Sequence, residues 1–329
     1  MKRLRSFLCA GLLAGAAPAW GQNQEAGPIS VYDLSRALRD SGQADLAIDY
    51  LDSLVGKLPK EQQPELKLER AKARLEQANQ EPVDAKRDDL IAVAKKELED
   101  FIKAHATHPR VAEANISLAR VTTLMGKQQL GRAGKAEAEK PEDTPKLRKE
   151  QSALARPFFE TSAKQYAAAA KKLEDQANGA LAASTKRELT TGLYQALLDQ
   201  GINQYYLGDS YGKTTVKAEV TERYNAYKSA RDLFLALSKR DEKHPLCWVA
   251  KAWEGECNRP MQELGKADKV NDDIRAAWVK EPQGAPAAGY RMARFFIIRD
   301  KWLEADGKGA TPARSEEHTS ELQSRSAIS

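Results

Sequence analysis

Cysteine is scarce in the sequence, which excludes a disulfide framework. One of the three cysteines, Cys9, lies in an apolar run near the N-terminus, so only Cys247 and Cys257 remain. Both lie in a segment with helical spacing, where ten residues correspond to about 15 Å. A disulfide requires Cα atoms within about 7 Å. We therefore expect two buried free thiols, or alternatively an intermolecular bridge, and a fold that depends on its apolar core.

No block of like charge stands out either. The formal net charge is +5 at pH 7, but Lys2, Arg3 and Arg5 lie at the very start of the chain. Over the rest of the sequence lysine and glutamate are interspersed, which is typical of solvated helix faces. A nucleic-acid-binding protein concentrates its positive charge in a patch or stripe, so we expect no nucleic-acid partner.

The sequence lacks an apolar run long enough to span a bilayer, which takes about 20 residues. A shorter run, from Phe7 to Ala17, follows the three basic residues and precedes the small residue Ala19. This order is typical of a secretory signal peptide. We expect cleavage after Ala19 or Gly21, and a mature protein that is periplasmic or otherwise extracytoplasmic and does not span a membrane.

Alternating runs of β-branched residues are absent, and alanine, leucine, lysine, glutamate and glutamine dominate, which favours helices. Apolar residues recur instead at spacings of three and four, as on one face of a helix. Three such stripes are Leu68, Ala71, Leu75 and Ala78; Phe159, Ala163, Tyr166, Ala170 and Leu173; and Val220, Tyr224, Tyr227, Phe234 and Leu237. Glycine and proline fall mostly between the stripes, so the sequence predicts an all-α fold.

One stretch near the N-terminus has the spacing W-x2-L-G-x2-Y…A-x3-F…P. The matching positions are Val31, Leu34, Ser35, Leu38, Gly42, Ala47, Leu51, Leu54 and Pro59. Here the chain resembles the tetratricopeptide-repeat family. The resemblance implies helical hairpins in which a glycine ends the first helix and a proline closes the second. Because one hairpin cannot bury its own apolar face, neighbouring hairpins are expected to stack into an α-solenoid.

Two further stretches carry parts of the same pattern. A shift of 223 residues gives a second copy, in which the first half is degenerate: Glu254, Cys257, Asn258, Met261, Gly265, Val270, Ile274, Ala277 and Pro282. A third closing signature is formed by Phe101, Ala104 and Pro109, and a first helix follows with Leu118, Ala119 and Gly126. A shift of 223 is not a multiple of the 34-residue repeat, so we expect the middle of the chain to contain long, irregular helices.

These patterns divide the chain into five segments. We expect a signal peptide at 1–21, tetratricopeptide-like hairpins at 22–139, a long-helix middle segment at 140–243, further hairpins at 244–313 and a non-native tail at 314–329. Reverse translation of the tail, from Arg314 to Ser324, resembles a standard short-read sequencing adapter, and the frame continues to Ile328 and Ser329. We therefore expect that the natural chain is cut near Ala313 and that His318 has no function.

The segment "GDSYGKTT" raises the question of nucleotide binding. A phosphate-binding loop requires G-x-x-x-x-G-K-[ST] after a buried strand, but the position five residues before Gly212 is Leu207, and the preceding segment has helical spacing. We expect no nucleotide and no other cofactor. In this interpretation Gly208 ends one helix, and Thr214 or Thr215 caps the next.

Other patterns that could carry chemistry are incomplete. His105 and His108 could share a metal, but no third and fourth ligands follow at a recognisable spacing, so we expect a surface turn and no metal site. His244 precedes Pro245 at a joint between helices, and we expect it to be exposed. No serine, cysteine or lysine lies beside a convincing base, so the sequence predicts no catalytic residues and no enzyme, although a site assembled in three dimensions would leave no such pattern.

Aromatic residues are concentrated towards the C-terminus. Trp248, Trp253, Trp278, Tyr290 and Trp302 lie within one segment of the chain. They either fill the interfaces between the last hairpins or line a groove that binds a peptide, because aromatic side chains dominate interface hot spots.

The repeat resemblance and the leader favour an extracytoplasmic protein–protein interaction scaffold that binds protein or peptide segments in a groove. The alternative is an envelope-processing enzyme, or its accessory domain, whose catalytic part is missing from this chain.

Overall fold

A computed structural model of the protein describes residues 31–306, and this part of the chain is helical and contains no strands. The predicted leader and the predicted non-native tail lie outside the described residues. The helices are α1 (Val31–Asp40), α2 (Ala44–Ser53), α3 (Gln63–Gln80), α4 (Asp84–Ala104), α5 (Val111–Lys135), α6 (Thr144–Ala153), α7 (Arg156–Gly179), α8 (Ala183–Asp209), α9 (Lys217–Ser238), α10 (Pro245–Asn258), α11 (Leu264–Lys280) and α12 (Pro286–Asp306). The predicted all-α, solenoid-like architecture is confirmed.

The helices form two rows. Helices α1, α3, α5, α8, α10 and α12 each contact the next member of the same set, and we call them the first row. Helices α2, α4, α7, α9 and α11 pack between successive first-row helices, and we call them the second row. Within residues 31–306 the second-row helices make no comparable contacts with one another. Consecutive first-row helices therefore lie closer to one another than consecutive second-row helices do.

The middle segment contains the long helices expected from the sequence. Helices α7, α8 and α9 have 24, 27 and 22 residues. They follow the same alternation, since α7 packs against α5 and α8, and α9 packs against α8 and α10. Helix α6 contacts α5 outside this alternation. The stacking of first and second rows therefore runs from α1 to α12.

The turn after α1 shows how the sequence ends a first-row helix. Gly42 has φ +78°, and Gln43 N–H donates to the carbonyl of Leu38 at 2.8 Å. These are the features of a helix-ending Schellman turn, which needs a residue that tolerates a left-handed backbone. Glycine meets that need because it has no Cβ, so the expected role of Gly42 is confirmed.

The corresponding turn after α10 corrects the sequence alignment. The left-handed residue there is Gln262, with φ 63°, and Glu263 N–H donates to the carbonyl of Asn258 at 2.8 Å. Gly265 lies three residues further on, exposed in the first turn of α11. The prediction that Gly265 ends the preceding helix is therefore wrong, although Val270 and Ile274, its partners in the pattern, are buried as expected.

Glycines allow the two rows to approach closely at several points. A Cβ on Gly126 of α5 would lie 2.7 Å from the ring of Phe159 in α7. A Cβ on Gly208 of α8 would lie equally close to the ring of Tyr227 in α9. Side chains at these positions would push the rows apart, because real Cβ contacts are essentially never this short.

The buried apolar residues form three clusters. The largest extends from α5 to α12 and contains the rings of Tyr166, Tyr205, Phe234 and Trp253. A second cluster lies among α3, α4 and α5, and a small third one joins α1 and α2 to α3. Cys247 and Cys257 are buried free thiols on α10, as expected.

Candidate functional site

A cavity of about 260 Å³ lies on the first row, mainly between α3, α5 and α8. We call it the first-row cavity. Its lining consists of apolar, charged and hydroxyl-bearing side chains from α1, α3, α5, α7 and α8: Arg39, Lys72, Leu75, Glu76, Asn79, Ser117, Arg120, Thr123, Leu124, Lys127, Tyr166, Asp199, Ile202 and Tyr206. A second depression, of about 440 Å³, is lined by residues of α9 alone, so groups from different helices do not converge there.

The apolar part of the first-row cavity comes from three consecutive first-row helices. Leu75 of α3, Leu124 of α5 and Ile202 of α8 line it together with the ring of Tyr206. The ammonium group of Lys127 lies 5.1 Å from the centre of that ring, a distance at which a cation is attracted to the aromatic face. The arrangement places an apolar surface beside a cation.

A charge pair fixes the distance between α5 and α8 at the cavity. Arg120 Nε donates to Asp199 Oδ2 at 2.9 Å, and Gln195 Nε2 donates to the other carboxylate oxygen at 2.7 Å. The negative charge of Asp199 raises the pKa of Arg120 further above its ordinary value. Arg120 therefore stays cationic, with its side chain 45% exposed, and its polar surface faces the cavity.

Tyr166 reaches the same cavity from the second-row helix α7. Burial raises the pKa of Tyr166 well above that of a free phenol, and the nearby negative charge of Asp199 raises it further. The hydroxyl group is therefore neutral at physiological pH and can form hydrogen bonds in the cavity.

A buried polar network holds α5, α7 and α8 together behind the cavity. Asn203 Oδ1 accepts hydrogen bonds from Ser162 Oγ at 2.7 Å and from Thr123 Oγ1 at 3.1 Å. Asn203 Nδ2 donates to the backbone carbonyl of Phe159. Ser162 and Asn203 are fully buried, and leaving such groups unpaired is costly. The network therefore fixes the relative positions of α5 and α8, which line the cavity, and of α7 behind them.

Polar side chains bridge every junction between neighbouring first-row helices from α1 to α12. The bridges join residues that lie far apart in the sequence, and most of them are charged pairs. They are Arg39–Glu69, Lys72–Glu113, Arg120–Asp199, Tyr205–Glu256 and Arg299–Glu256. Polar contacts as well as apolar packing therefore hold neighbouring first-row helices together.

The predicted aromatic site is dispersed in the structure. Trp253 is 2% exposed and packs among the rings of Tyr205, Phe234 and Phe296. Trp278 stacks on Tyr290, with the ring centres 4.0 Å apart. Both of these rings are half-buried.

Trp248 is separate from both groups. Its indole N–H donates to the backbone carbonyl of Glu242 at 2.7 Å, and Lys251 lies over its ring. The side chain of Trp302 lies outside the described residues. The structure thus assigns Trp253 to the core and brings Trp278 and Tyr290 together at the junction of α11 and α12.

The segment that resembles a phosphate loop is a turn between two helices. Gly208 is buried in the last turn of α8, which ends at Asp209, and Lys213 is exposed. Helix α9 begins at Lys217, and its N-cap residue is Val216, without a side-chain cap. The expectation that Thr214 or Thr215 caps this helix is therefore wrong. Thr214 Oγ1 instead donates to Glu219 at 2.6 Å.

The histidines have structural contacts. His105 and His108 lie against Phe101, with ring centres 5.2 and 5.4 Å from its own, and His108 Nδ1 accepts from the backbone N–H of Arg110. His244 is half-buried rather than exposed as predicted, because it is the N-cap residue of α10. Its Nδ1 accepts from the N–H of Leu246 at 3.2 Å. Among residues 31–306, histidine, cysteine and carboxylate side chains form no group of three that could hold a metal.

The residues of the first-row cavity were not identified from the sequence. A signal for them exists, since Arg120, Thr123 and Lys127 recur at helical spacing on α5, as do Asp199, Ile202 and Tyr206 on α8. Such mixed stripes resemble ordinary solvated helix faces, and only the stacking of the helices shows that they meet.

The sequence was compared with protein-family models and with curated proteins. No protein-family model matches the chain, and no curated protein matches it. Of the described helices, none is both long and apolar enough to cross a membrane.

Proposed function

We propose that the protein is an extracytoplasmic interaction scaffold that binds an extended protein segment in the first-row cavity. The resemblance to tetratricopeptide repeats supports a role in protein binding, and the leader-like pattern of residues 1–21 supports the compartment. The observation that carries the proposal is the convergence of side chains from three consecutive first-row helices on one cavity.

The chemistry of the cavity suits a peptide segment. The apolar surface formed by Leu75, Leu124 and Ile202 fits an aliphatic or aromatic side chain of the segment. Asn79, with an amide group, and Arg120, with a guanidinium group, line the same cavity and suit the peptide backbone, which carries one donor and one acceptor per residue.

Three ionisable groups of the cavity, Arg120, Asp199 and Tyr166, suit binding. Arg120 and Asp199 are paired with each other, and the phenol of Tyr166 is neutral. A general acid or base needs a pKa near the operating pH, and neither Arg120 nor Tyr166 has one. The alternative, an envelope-processing enzyme or its accessory domain, is supported by no contact among residues 31–306.

Selection of peptides from a random display library on the purified chain tests the proposal. The dissociation constant of a selected peptide is then measured for the wild type, for Ile202→Asp in the cavity and for Val220→Asp, an exposed apolar position on the second-row helix α9. We expect Ile202→Asp to weaken binding at least about tenfold, because a buried, unpaired charge is costly, and Val220→Asp to leave it unchanged.

A third variant, Trp278→Ala, distinguishes the two sites considered from the sequence. Unchanged binding by this variant is expected. Loss of binding in Trp278→Ala, with unchanged binding in Ile202→Asp, would move the site to the aromatic junction of α11 and α12 and overturn the proposal.

A further inference from the structure

A partly buried ionic cluster joins α1, α3 and α5, the first three helices of the first row. Its centre is Glu69 of α3, whose side chain is 2% exposed. Arg39 of α1 donates to Glu69 Oε2 at 2.7 Å, and Arg110, at the start of α5, donates to Oε1. Lys72 of α3 bridges Glu69 and Glu113 of α5. We call these five residues the Glu69 cluster.

Other titratable groups lie around the Glu69 cluster and contact some of its members. Arg110 Nη1 also lies 3.5 Å from Glu65 of α3, and His108 Nε2, in the turn before α5, lies 3.7 Å from the same carboxylate. Tyr32 of α1 lies under the guanidinium of Arg110. Helix α2 contributes Asp52, which pairs with Arg70 rather than with Glu69.

Apolar packing holds the α1–α2 hairpin through a small cluster. Its buried residues are Ala47, Leu51, Leu66 and Ala73, and five partly buried residues pack against them: Leu38, Ile48, Tyr50, Leu54 and Leu58. By contrast, the cluster that joins α8, α9, α10 and α12 contains several buried rings, including Tyr205, Phe234 and Trp253. Because hydrophobic stabilisation scales with the apolar area removed from water, charge contacts carry a larger share of the attachment at the N-terminal end than elsewhere.

Neutralising Glu69 would leave Arg39, Lys72 and Arg110 close together with Glu113 as their remaining partner in the cluster. Uncompensated buried charges are strongly destabilising. Arg39 could regain water by detaching α1 from α3, whereas Lys72 is part of α3 itself. Release of α1, together with α2, therefore relieves the repulsion at the smallest cost in apolar burial.

The sign of the pH dependence follows from the same contacts. Burial raises the pKa of Glu69, but Lys72, Arg39 and Arg110 more than offset this, so the pKa lies below its ordinary value. For Glu113, burial is likewise outweighed by Lys72 and Arg110, which lower the pKa to about 2. The stability from both carboxylates is present above the ordinary pKa of about 4.3 and is lost as the pH falls through the lowered values.

At the C-terminal end of the first row, a buried carboxylate has a pKa that is shifted in the opposite direction. Glu256 of α10 accepts from Tyr205 at 3.0 Å and from Arg299, but burial raises its pKa above the ordinary value despite the charge of Arg299. Protonation of Glu256 therefore favours the folded state relative to the unfolded chain. Acid therefore acts on Glu256 in the opposite sense to its action on Glu69 and Glu113.

We propose that the Glu69 cluster holds the α1–α2 hairpin on the rest of the solenoid. The hairpin detaches when Glu69 is neutralised, while α8 to α12 stay folded. Detachment removes Arg39 from the lining of the first-row cavity and opens that end of it. This conformational switch does not depend on the proposed function, because it rests on the Glu69 cluster alone.

Hydrogen-exchange mass spectrometry of the full chain tests this inference. In Glu69→Gln at pH 7, protection factors over residues 31–53 are expected to fall at least about tenfold, with those over 183–238 unchanged, as for local opening of one unit. The matched control is Glu76→Gln on the same helix, whose carboxylate has only weak contacts with Asn79 and Gln80. It should leave residues 31–53 protected.

Arg39→Gln provides an independent variant, because it removes the bond from α1 while Lys72 and Arg110 still neutralise Glu69. The same loss of protection over 31–53 is expected for this variant, and for the wild type on acidification towards pH 3. Unchanged protection in Glu69→Gln and Arg39→Gln, or an equal loss over 31–53 and 183–238, would overturn the inference.

Discussion

Gly201 of α8 and Phe234 of α9 lie in direct contact, so that a Cβ on Gly201 would be 2.5 Å from Cε1 of the ring. Phe234 is fully buried and also stacks on Trp253 of α10. The ring therefore joins three helices of the solenoid. Its position depends on the absence of a side chain at residue 201.

Replacing Gly201 by alanine is expected to destabilise the protein by about 1–3 kcal/mol, because overpacking forces a buried ring and the backbone to shift. Thermal or urea unfolding measures the change. The matched control is Gly131→Ala on α5, where nothing lies within 4 Å of the new Cβ. That variant should be stabilised by about 0.5–1 kcal/mol. Equal effects in the two variants would contradict the close contact.

The Asn203 network is expected to act as a unit. Asn203→Ala should cost about 1–3 kcal/mol, because it leaves the Phe159 carbonyl and Ser162 hydroxyl buried without their partner. After that change, Ser162→Ala should cost less than it does alone, since its bond to Asn203 is already lost and only the contact with Thr123 Oγ1 at 2.7 Å remains. A double-mutant cycle measures the coupling, and additive effects of the two substitutions would show that the hydrogen bond between them is not formed.

His244 should make stability depend on pH near neutrality. Burial lowers the pKa of His244, against the opposing charge of Asp241, so its contribution is present above the ordinary value of about 6.5 and is lost as the pH falls through the lowered one. His244→Asn keeps an N-cap acceptor without a titrating group. Unfolding free energies of both proteins between pH 8 and 5 should diverge on acidification, and parallel curves would exclude this role.

The turn that contains Lys213 is not expected to bind nucleotide. Lys213 is exposed, so Lys213→Ala is expected to change stability by at most about 0.5 kcal/mol. ATP should leave the melting temperature of the wild type and of the variant unchanged. An increase in the wild type alone would show that the segment "GKTT" binds the nucleotide.

Local sequence patterns predicted the all-α fold, because several of the helices carry an apolar stripe. The stripe through Phe159, Ala163 and Tyr166 is buried as expected. Turn residues were less reliable: Gly42 ends α1, whereas Gln262, and not Gly265, takes the left-handed conformation after α10. Glycine adopts the left-handed backbone conformation of such a turn with little steric strain. Another residue can adopt the same conformation when the surrounding packing compensates for the strain.

The candidate site depends on long-range contacts, which helical spacing does not report. Arg120 and Asp199 form a pair across two helices, yet each alone looks like an ordinary surface charge. Conversely, the sequence left open whether Trp253 packs between hairpins or lines a binding groove, and the structure places it in the core. Its burial could not be separated from a binding role without knowing which helices pack against α10.

Hydroxyl-radical footprinting of the wild-type chain, with and without a selected peptide, tests the central claim most directly. Tyr206 lines the first-row cavity, whereas Tyr224 is 43% exposed on the second-row helix α9, so the two tyrosines form an internal comparison. We expect the peptide to protect Tyr206 and Leu124 from oxidation and to leave Tyr224 unchanged. Unchanged oxidation of Tyr206 in a saturated complex, with protection of Tyr224 or Trp278 instead, would contradict binding in the first-row cavity.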